Sequence, residues 1–195
     1  MNRIITVSRE FGSGGRTIAK MVAEKLNIPV YDNELLTQIA EKSGFAKEYI
    51  GERAENETFS RLISFSLSKL GSYNQISAED YLWQMQREVI LELVEKESCI
   101  IVGRCADYIL KDKADCLRVF IYADEKKRAE RIVSVYNDES KTAPEKRIKD
   151  KDKRRSAFYS YHTDMIWGNP HNYHICLDSG TLGFEKCTEI ISSLY

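Results

Sequence analysis

The sequence predicts a three-layer α/β/α protein in which a parallel five-stranded sheet lies between two layers of helices. Two observations lead to this prediction: short apolar runs alternate with longer segments of helical periodicity, and a glycine-rich segment follows the first apolar run. The chain has 195 residues, of which 43% are hydrophobic. This composition excludes disordered and collagen-like chains, and we expect a single domain over residues 1–195.

The expected strands are short runs rich in β-branched and other apolar residues, at residues 4–7, 28–31, 99–102, 117–122 and 174–177. Apolar residues recur at helical spacing over residues 17–26, and the closing helix is expected at residues 184–194. Residues 45–97 contain no strand pattern, which indicates three or four helices inserted between two strands. Strands that alternate with helices predict a parallel sheet with both faces covered.

Charge and cysteine content exclude several classes of protein. The chain carries 29 basic and 30 acidic side chains, so it is not a basic nucleic-acid binder as a whole. No apolar run approaches the roughly 18 residues that a membrane span needs, and charge interrupts the N-terminal apolar run too early for a signal peptide. Five widely spaced cysteines without a CxxC pattern are typical of reduced thiols. We therefore expect a cytoplasmic protein with no membrane partner.

The glycine-rich segment, residues 7–17 (VSREFGSGGRT), connects the first expected strand to the first expected helix. A parallel sheet places phosphate-binding loops there, because glycines let successive amides turn towards an anion and the helix N-terminus adds positive charge. In the frame G-x-x-x-x-G-K-[ST], Gly15 and Thr17 match, while Arg16 keeps the charge of the lysine. Glu10 replaces the first glycine. The segment predicts ATP as cofactor, with Mg²⁺ held through Thr17; the alternative is a turn with no ligand. The residues expected to bind phosphate are Gly12, Ser13, Gly14, Gly15, Arg16 and Thr17.

The sharpest change in composition lies at residues 141–155, which hold eight Lys or Arg and three acidic residues. On a helix, four of the cations fall near one face: Arg147, Lys151, Arg154 and Arg155. Such a stripe repels itself unless an anion lies against it, so residues 141–160 are predicted to form a lid over bound phosphates. A solvated surface helix and a nucleic-acid patch are the alternatives. We do not expect nucleic acid as the partner, because the run itself lacks interleaved aromatic residues.

A second group of candidate residues follows the second and third expected strands. Asp32 and Glu34 could bind the hydroxyls or base of a molecule that accepts a phosphoryl group from ATP, although Asp32 could equally cap a helix. Arg104 directly follows a buried strand and should lie at the carboxyl edge of the sheet, where pairing with an aspartate would explain it without a ligand. Asp107 and Asp124 are the nearest candidates for a carboxylate that holds Mg²⁺. The aromatic residues Tyr81, Trp83 and Trp167 are interpreted as packing residues rather than as a base-stacking platform.

The segment SREFGSGGR, residues 8–16, resembles the phosphate loop of the bacterial cytidylate-kinase-like family, a branch of the P-loop nucleoside monophosphate kinases. The likeness extends to YDNELL, IVGRCAD, KDKRR and CLDSG, at residues 31–36, 101–107, 151–155 and 176–180. The resemblance implies a P-loop kinase-type fold with the sheet order 2-3-1-4-5. In that fold residues 45–97 would cover the acceptor side.

The resemblance also implies an ATP- and Mg²⁺-dependent phosphotransferase that acts on a nucleoside monophosphate, with CMP or dCMP favoured. It implies that Lys153, Arg154 and Arg155 are lid cations that stabilise the transition state; with Arg16 they are the expected catalytic residues. It implies that Arg104 and Asp107 bind the acceptor; with Asp32 and Glu34 they are the expected substrate-binding residues. Relative to true cytidylate kinases the loop departs at Glu10, where a carboxylate near phosphates must be neutralised by Mg²⁺ or a neighbour such as Arg9, and at Arg16. Two alternatives therefore stay open: a kinase of another small metabolite, and a nucleotide-binding module without catalysis.

Overall fold

The centre of the structure is a sheet of five parallel strands, seen in a computed structural model that describes residues 2–32, 78–112, 115–136 and 142–195. The strands are β1 (Arg3–Arg9), β2 (Val30–Tyr31), β3 (Cys99–Val102), β4 (Asp115–Tyr122) and β5 (Ile175–Asp178). Their order across the sheet is β2-β3-β1-β4-β5, and each neighbouring pair is parallel. The predicted fold class and strand order are therefore confirmed.

Helices cover both faces of this sheet. Those within the described ranges are α1 (Gly15–Leu26), α2 (Ala78–Lys96), α3 (Ala106–Ile109), α4 (Glu125–Tyr136), α5 (Pro144–Thr163), α6 (Ser179–Leu182) and α7 (Phe184–Ser193). The helices α1 and α7 pack on one face, and α2 and α3 pack on the other. None of these helices combines the length and the apolar character that crossing a bilayer requires.

The central strand β1 shows why the chain folds in three layers. Ile4 and Ile5 are both fully buried, but Ile4 packs with the α2 cluster and Ile5 with the α1 cluster. Successive side chains of a strand point to opposite faces, so an uninterrupted apolar run is buried only when both faces are covered. Each such isoleucine contributes about 1.5–3 kcal/mol to stability.

The structure describes the basic segment from residue 142 onward, but it describes little of the inserted segment, residues 45–97. The predicted helices of residues 45–97 lie mostly outside the described residues, and only α2 at the end of that stretch is described. The basic segment forms α5, which begins with Pro144 at its first position, where the missing N–H of proline leaves no hydrogen bond unmade. The short helices α3 and α6 were not predicted, because four residues are too few to show a helical period.

The carboxyl ends of β1, β3 and β4 meet at one edge of the sheet, as they must in a parallel arrangement. The glycine loop follows β1 at this edge, and the segment with Arg104 follows β3. The helices α4 and α5 pack on each other through Ala129, Ile132 and Ile148, with the ring of Phe11 against them. The fold thus gathers the glycine loop, the basic helix and the end of β3 around one site.

Candidate functional site

A cavity of about 480 Å³ lies at this edge and is lined by the glycine loop, the segment after β3, and parts of α4 and α5. Among the described residues that line it, six are cations: Arg9, Arg16, Arg104, Arg131, Lys151 and Arg155. Two are carboxylates: Glu10 and Asp32. The cavity therefore has an excess of positive charge, while the whole chain has a formal net charge of −1. This charge favours an anionic ligand.

The glycines of the loop are required by its conformation. Gly12 and Gly14 have φ of 82° and 79°, in the left-handed region that other residues rarely adopt. A Cβ on Gly14 would also collide with the ring of Phe184, and a Cβ on Gly15 would lie 2.5 Å from Cβ of Arg9. The helix α1 begins at Gly15 without a side-chain cap, so its first N–H groups are available to an anion.

Ser13 fixes the loop from within. Its hydroxyl donates to the carbonyl oxygen of Glu10 at 2.9 Å, and its own carbonyl oxygen accepts from the Ser179 hydroxyl at 2.6 Å. Ser13 is buried and lies behind the cavity rather than at its surface. Of the residues predicted to bind phosphate, Gly12, Gly14, Gly15, Arg16 and Thr17 line the cavity, and Ser13 supports them.

Glu10 is paired, and its partner comes from α4. Its Oε2 accepts from the backbone N–H of Ala123 at 3.2 Å and lies 3.4 Å from Nε of Arg128. Burial raises the pKa of Glu10, while the Ala123 N–H and the Arg128 charge act in the opposite direction. The carboxylate that replaces the first glycine of the motif is thus held against the end of β4.

Arg16 and Asp32 form an ion pair between Nε of the arginine and Oδ2 of the aspartate. Both residues line the cavity, and the Arg16 side chain is 47% exposed. Asp32 was expected either to bind an acceptor or to cap a helix, and the structure brings it to the cation of the glycine loop. Glu34, the other acceptor candidate of this segment, lies outside the described residues.

Thr17 has a partner that the sequence did not indicate. Nη2 of Arg131, on α4, donates to Oγ1 of Thr17 at 2.9 Å, and the Arg131 guanidinium lies 4.5 Å from the ring centroid of Phe184. Arg131 and Arg128 are three residues apart on α4 and share the helix face turned to the glycine loop. That spacing is the sequence signal that could have identified both arginines.

The oxygen ligands present suit a magnesium ion that is carried by phosphates. Mg²⁺ needs only one or two protein ligands beside substrate phosphates, and the Thr17 hydroxyl and the Asp32 carboxylate line the same cavity. Within the described ranges there is no group of three or more potential metal ligands of the His, Cys, Asp or Glu type. The earlier candidates lie elsewhere: Asp107 is buried behind the cavity, and Asp124 accepts from the N–H of Lys126 at 2.9 Å.

Arg104 lies in an unusual turn after β3. Gly103, Arg104 and Cys105 all have positive φ, of 76°, 60° and 52°. Non-glycine residues in this region cost free energy and are held there by their surroundings. The turn is fixed by Gln86 of α2, which is 5% exposed and donates from Nε2 to the Arg104 carbonyl oxygen at 2.9 Å. The strained turn brings Arg104 to the cavity.

Asp107 does not line the cavity, although the resemblance implies that it binds substrate. It is 2% exposed; its Oδ1 accepts from the Ser8 hydroxyl at 3.3 Å and its Oδ2 from the Tyr159 hydroxyl at 2.8 Å. Burial raises the pKa of Asp107, while the hydrogen bonds from Tyr159 and Ser8 lower it. Ser8 and Tyr159 line the cavity, and Asp107 lies behind them. Its hydrogen bonds therefore orient two residues that face the cavity.

Helix α5 presents one of its faces to the cavity. Lys151, Arg155 and Tyr159, one turn apart from each other, line it, and Nη1 of Arg155 donates to the Arg9 carbonyl oxygen at 3.0 Å. Lys153 and Arg154 are exposed and do not line it. The helical turn of about 3.6 residues separates these neighbours in sequence onto different faces.

Trp83 and Trp167 pack against other rings, as interpreted. Trp83 stacks on His162 with the ring centroids 4.3 Å apart, and Trp167 packs edge-on against Phe120 at 5.4 Å. Trp167 also lines the cavity, together with Phe158 of α5. The side chain of Tyr81 lies outside the described residues.

Comparison with known proteins gives consistent results. The model of the cytidylate kinase-like family matches residues 4–181. A cytidylate kinase from Archaeoglobus fulgidus is 31% identical over 191 residues, which cover 96% of this chain and 91% of that protein. A solved structure of an uncharacterized protein from Eubacterium ventriosum is 28% identical with a TM-score of 0.72, covering 99% of this chain and 98% of that one.

More distant solved structures share the fold alone. Shikimate kinase from Acinetobacter baumannii, in complex with shikimate, is 16% identical with a TM-score of 0.56, covering 100% of this chain and 93% of that one. The family match spans most of the chain and includes both the glycine loop and α5. The chain therefore belongs to the cytidylate kinase-like family, and it is a phosphotransferase built on the P-loop kinase fold.

Proposed function

We propose that the protein is an ATP- and Mg²⁺-dependent kinase of a nucleoside monophosphate, with CMP or dCMP as the acceptor. The glycine loop carries this proposal, because it places the uncapped N-terminus of α1 at a cavity whose described lining includes six cations. Helix N-termini and glycine-rich loops of this kind bind phosphate groups through backbone N–H donors. The identity to a cytidylate kinase supports the choice of acceptor.

The cations of the cavity suit the chemistry of phosphoryl transfer. The acceptor oxygen attacks the terminal phosphorus of ATP, the bond to the β-phosphate oxygen breaks, and ADP leaves with its electron pair. Enzymes accelerate this step mainly by positioning and by neutralising charge. Arg16 at the loop and Lys151 and Arg155 on α5 supply positive charge on two sides of the same space.

Thr17 and Asp32 are the residues that would hold Mg²⁺ together with the phosphates. Held there, the ion would supply positive charge that neutralises the phosphate oxygens. The pairing of Arg16 with Asp32 keeps that carboxylate at the cavity.

Arg104 is the proposed ligand of the acceptor's phosphate. It lines the cavity from the end of β3, and a planar guanidinium suits a phosphate bound through two oxygens. Lys153 and Arg154, which the resemblance implies as catalytic, are exposed; the proposal assigns the principal charge of α5 to Lys151 and Arg155.

The test is ADP production from ATP with CMP, dCMP, UMP, AMP and a panel of phosphorylatable metabolites, alongside ATP binding by calorimetry. The expected result is ADP formation that depends on CMP or dCMP and that falls strongly in Arg104→Ala at unchanged ATP affinity. ADP formation with a metabolite alone would make the protein a kinase of another class of acceptor. Tight ATP binding without any acceptor-dependent ADP would make it a nucleotide-binding module without catalysis.

A further inference from the structure

An aspartate within the basic helix is bonded directly to the glycine loop. Oδ1 of Asp152 accepts from the backbone N–H of Phe11 at 2.7 Å. Its Oδ2 lies 2.6 Å from Nη1 of Arg128, which donates to it. Both carboxylate oxygens are therefore engaged, one by the loop backbone and one by a buried arginine. This accounts for a carboxylate so close to a site for anions, since its charge is neutralised in place.

Arg128 holds the same peptide of the loop from the other side. Its Nη1 also donates to the carbonyl oxygen of Phe11 at 3.3 Å, and its Nε lies 3.4 Å from Oε2 of Glu10. Arg128 is 8% exposed, and a Cβ added to Gly12 would lie only 2.9 Å from the Arg128 backbone oxygen. The N–H and the C=O of Phe11 are thus held by one ion pair, Asp152 with Arg128.

The side chain of Phe11 adds apolar contacts to these hydrogen bonds. Its ring packs on the cluster that joins α4 and α5, formed by Ala129, Ile132 and Ile148. The guanidinium of Arg155 lies 5.7 Å from the ring centroid. Arg155 also donates to the Arg9 carbonyl oxygen, so α5 contacts the loop on both sides of Glu10. The loop is therefore attached to α5 at Arg9 and at Phe11.

Such an attachment matters because this loop is glycine-rich. Glycines have more backbone freedom to lose than other residues, and a loop that orders only on binding spends part of the ligand's affinity on that ordering. Because the peptide at Phe11 is already fixed, the residues that follow lose less conformational freedom when a ligand binds. Resting on the proposed function, we propose that Asp152, together with Arg128, is a positioning residue that holds the glycine loop in its phosphate-binding conformation.

The test compares Asp152→Ala and Asp152→Asn with Asp150→Asn, a charge change at an exposed position two residues earlier on α5. Two quantities are measured well below the unfolding temperature of each variant: the Kd for ATP by calorimetry, and hydrogen exchange of the loop amides. Asp152→Ala is expected to expose the Phe11 amide to exchange and to raise the Kd about tenfold, the effect of losing a hydrogen bond to a charged group. Asp152→Asn keeps an oxygen for the Phe11 N–H and should recover part of the affinity, while Asp150→Asn matches the wild type.

Steady-state kinetics separate a positioning role from a purely structural one. Loss of loop positioning should raise the KM for ATP and leave the KM for the acceptor unchanged. A lower unfolding temperature with unaltered Kd, KM and loop exchange would overturn the inference, as would equal effects of Asp152→Ala and Asp150→Asn. If the wild type itself binds no ATP, the proposed function fails and this role fails with it. If the wild type binds ATP and turns over, but Asp152→Ala leaves the Kd, the KM and the loop exchange unchanged, only the role of Asp152 is rejected.

Discussion

Arg16 occupies the position where the phosphate-loop motif has lysine, and its partner explains how arginine fits there. Its Nε contacts Asp32, which leaves the terminal nitrogens of the guanidinium for a ligand in the cavity. A lysine has one ammonium group, which cannot serve the carboxylate and a phosphate in the same geometry. The arginine is therefore part of a pair rather than a simple replacement for lysine.

We expect Arg16→Lys to lower acceptor-dependent turnover several-fold, although it restores the motif. The ammonium would either leave Asp32 without its partner or stay with Asp32 and away from the phosphates. ADP production under saturating ATP measures this effect. Lys20→Arg, at an exposed position one turn further along α1, controls for exchanging these two residue types on the same helix. A lysine variant more active than the wild type would contradict this role for Arg16.

Single residues also mark the limit of what the sequence could predict about the site. The glycines and Thr17 were found because the loop is contiguous and its pattern is local. Arg128 and Arg131 were missed because their spacing on α4 does not reveal their partners, Glu10, Asp152 and Thr17, which are remote in the chain. The position of Asp107 behind Ser8 and Tyr159 depends equally on tertiary packing.

Whole elements were easier to predict than contacts. The run of residues 99–102 forms β3 with the expected bounds, because a buried parallel strand is an uninterrupted apolar run. The basic segment was expected to present Arg147, Lys151, Arg154 and Arg155 near one face, and the resemblance implied Lys153, Arg154 and Arg155 as its catalytic cations. Three consecutive residues cannot share one face of a helix with about 3.6 residues per turn, and the cavity-lining pair is Lys151 with Arg155.

The face of α5 gives a prediction for its cations. We expect Arg155→Ala and Lys151→Ala each to lower turnover about tenfold or more, because each removes a charge beside the transferred group. Arg154→Ala should lower it less, since Arg154 is exposed outside the cavity. The comparison is made by ADP production, with the exposed Lys146→Ala of the same helix as the control. A larger loss in Arg154→Ala than in Arg155→Ala would show that α5 rotates or shifts when substrates bind.

The contact between α2 and α5 gives a prediction about pH. Burial lowers the pKa of His162, between Trp83 and Phe158, to about 4, while Asp80 acts in the opposite direction. The unfolded chain takes up this proton near pH 6.5, so the free energy of unfolding should fall as the pH falls from about 6.5 to about 4. His162→Phe keeps a ring in place and removes the titration.

The expected difference between the two proteins is about 1–2 kcal/mol between neutral pH and about pH 4.5, a value reduced for the partial exposure of the ring. Urea unfolding of wild type and His162→Phe at both pH values measures it. Acidic groups with raised pKa values, such as Glu10 and Asp107, act in both proteins and cancel in the comparison. Parallel pH dependence of the two proteins would contradict the assignment to His162.

At the scale of the molecule, positive charge is concentrated at one edge of the sheet. The described cavity lining has six cations against two carboxylates, in a chain of formal net charge −1. The chain as a whole is close to neutral, but it has a local positive field where three strands end. Such a cleft focuses its potential on one region and attracts a multiply charged ligand more strongly than a neutral one of the same size.

This distribution predicts which part of ATP supplies the affinity. Tripolyphosphate should compete with ATP and raise the unfolding temperature, since a ligand that binds only the folded state stabilises it, while adenosine at the same concentration should do neither. Added salt should weaken the binding of both ATP and tripolyphosphate, because the Debye length falls from about 10 Å at 0.1 M to about 3 Å at 1 M. Thermal unfolding with each ligand at low and high salt measures this, and sodium sulfate at matched ionic strength controls for a small anion. Stabilisation by adenosine but not by tripolyphosphate would place the main recognition at the base and remove the central role of the glycine loop.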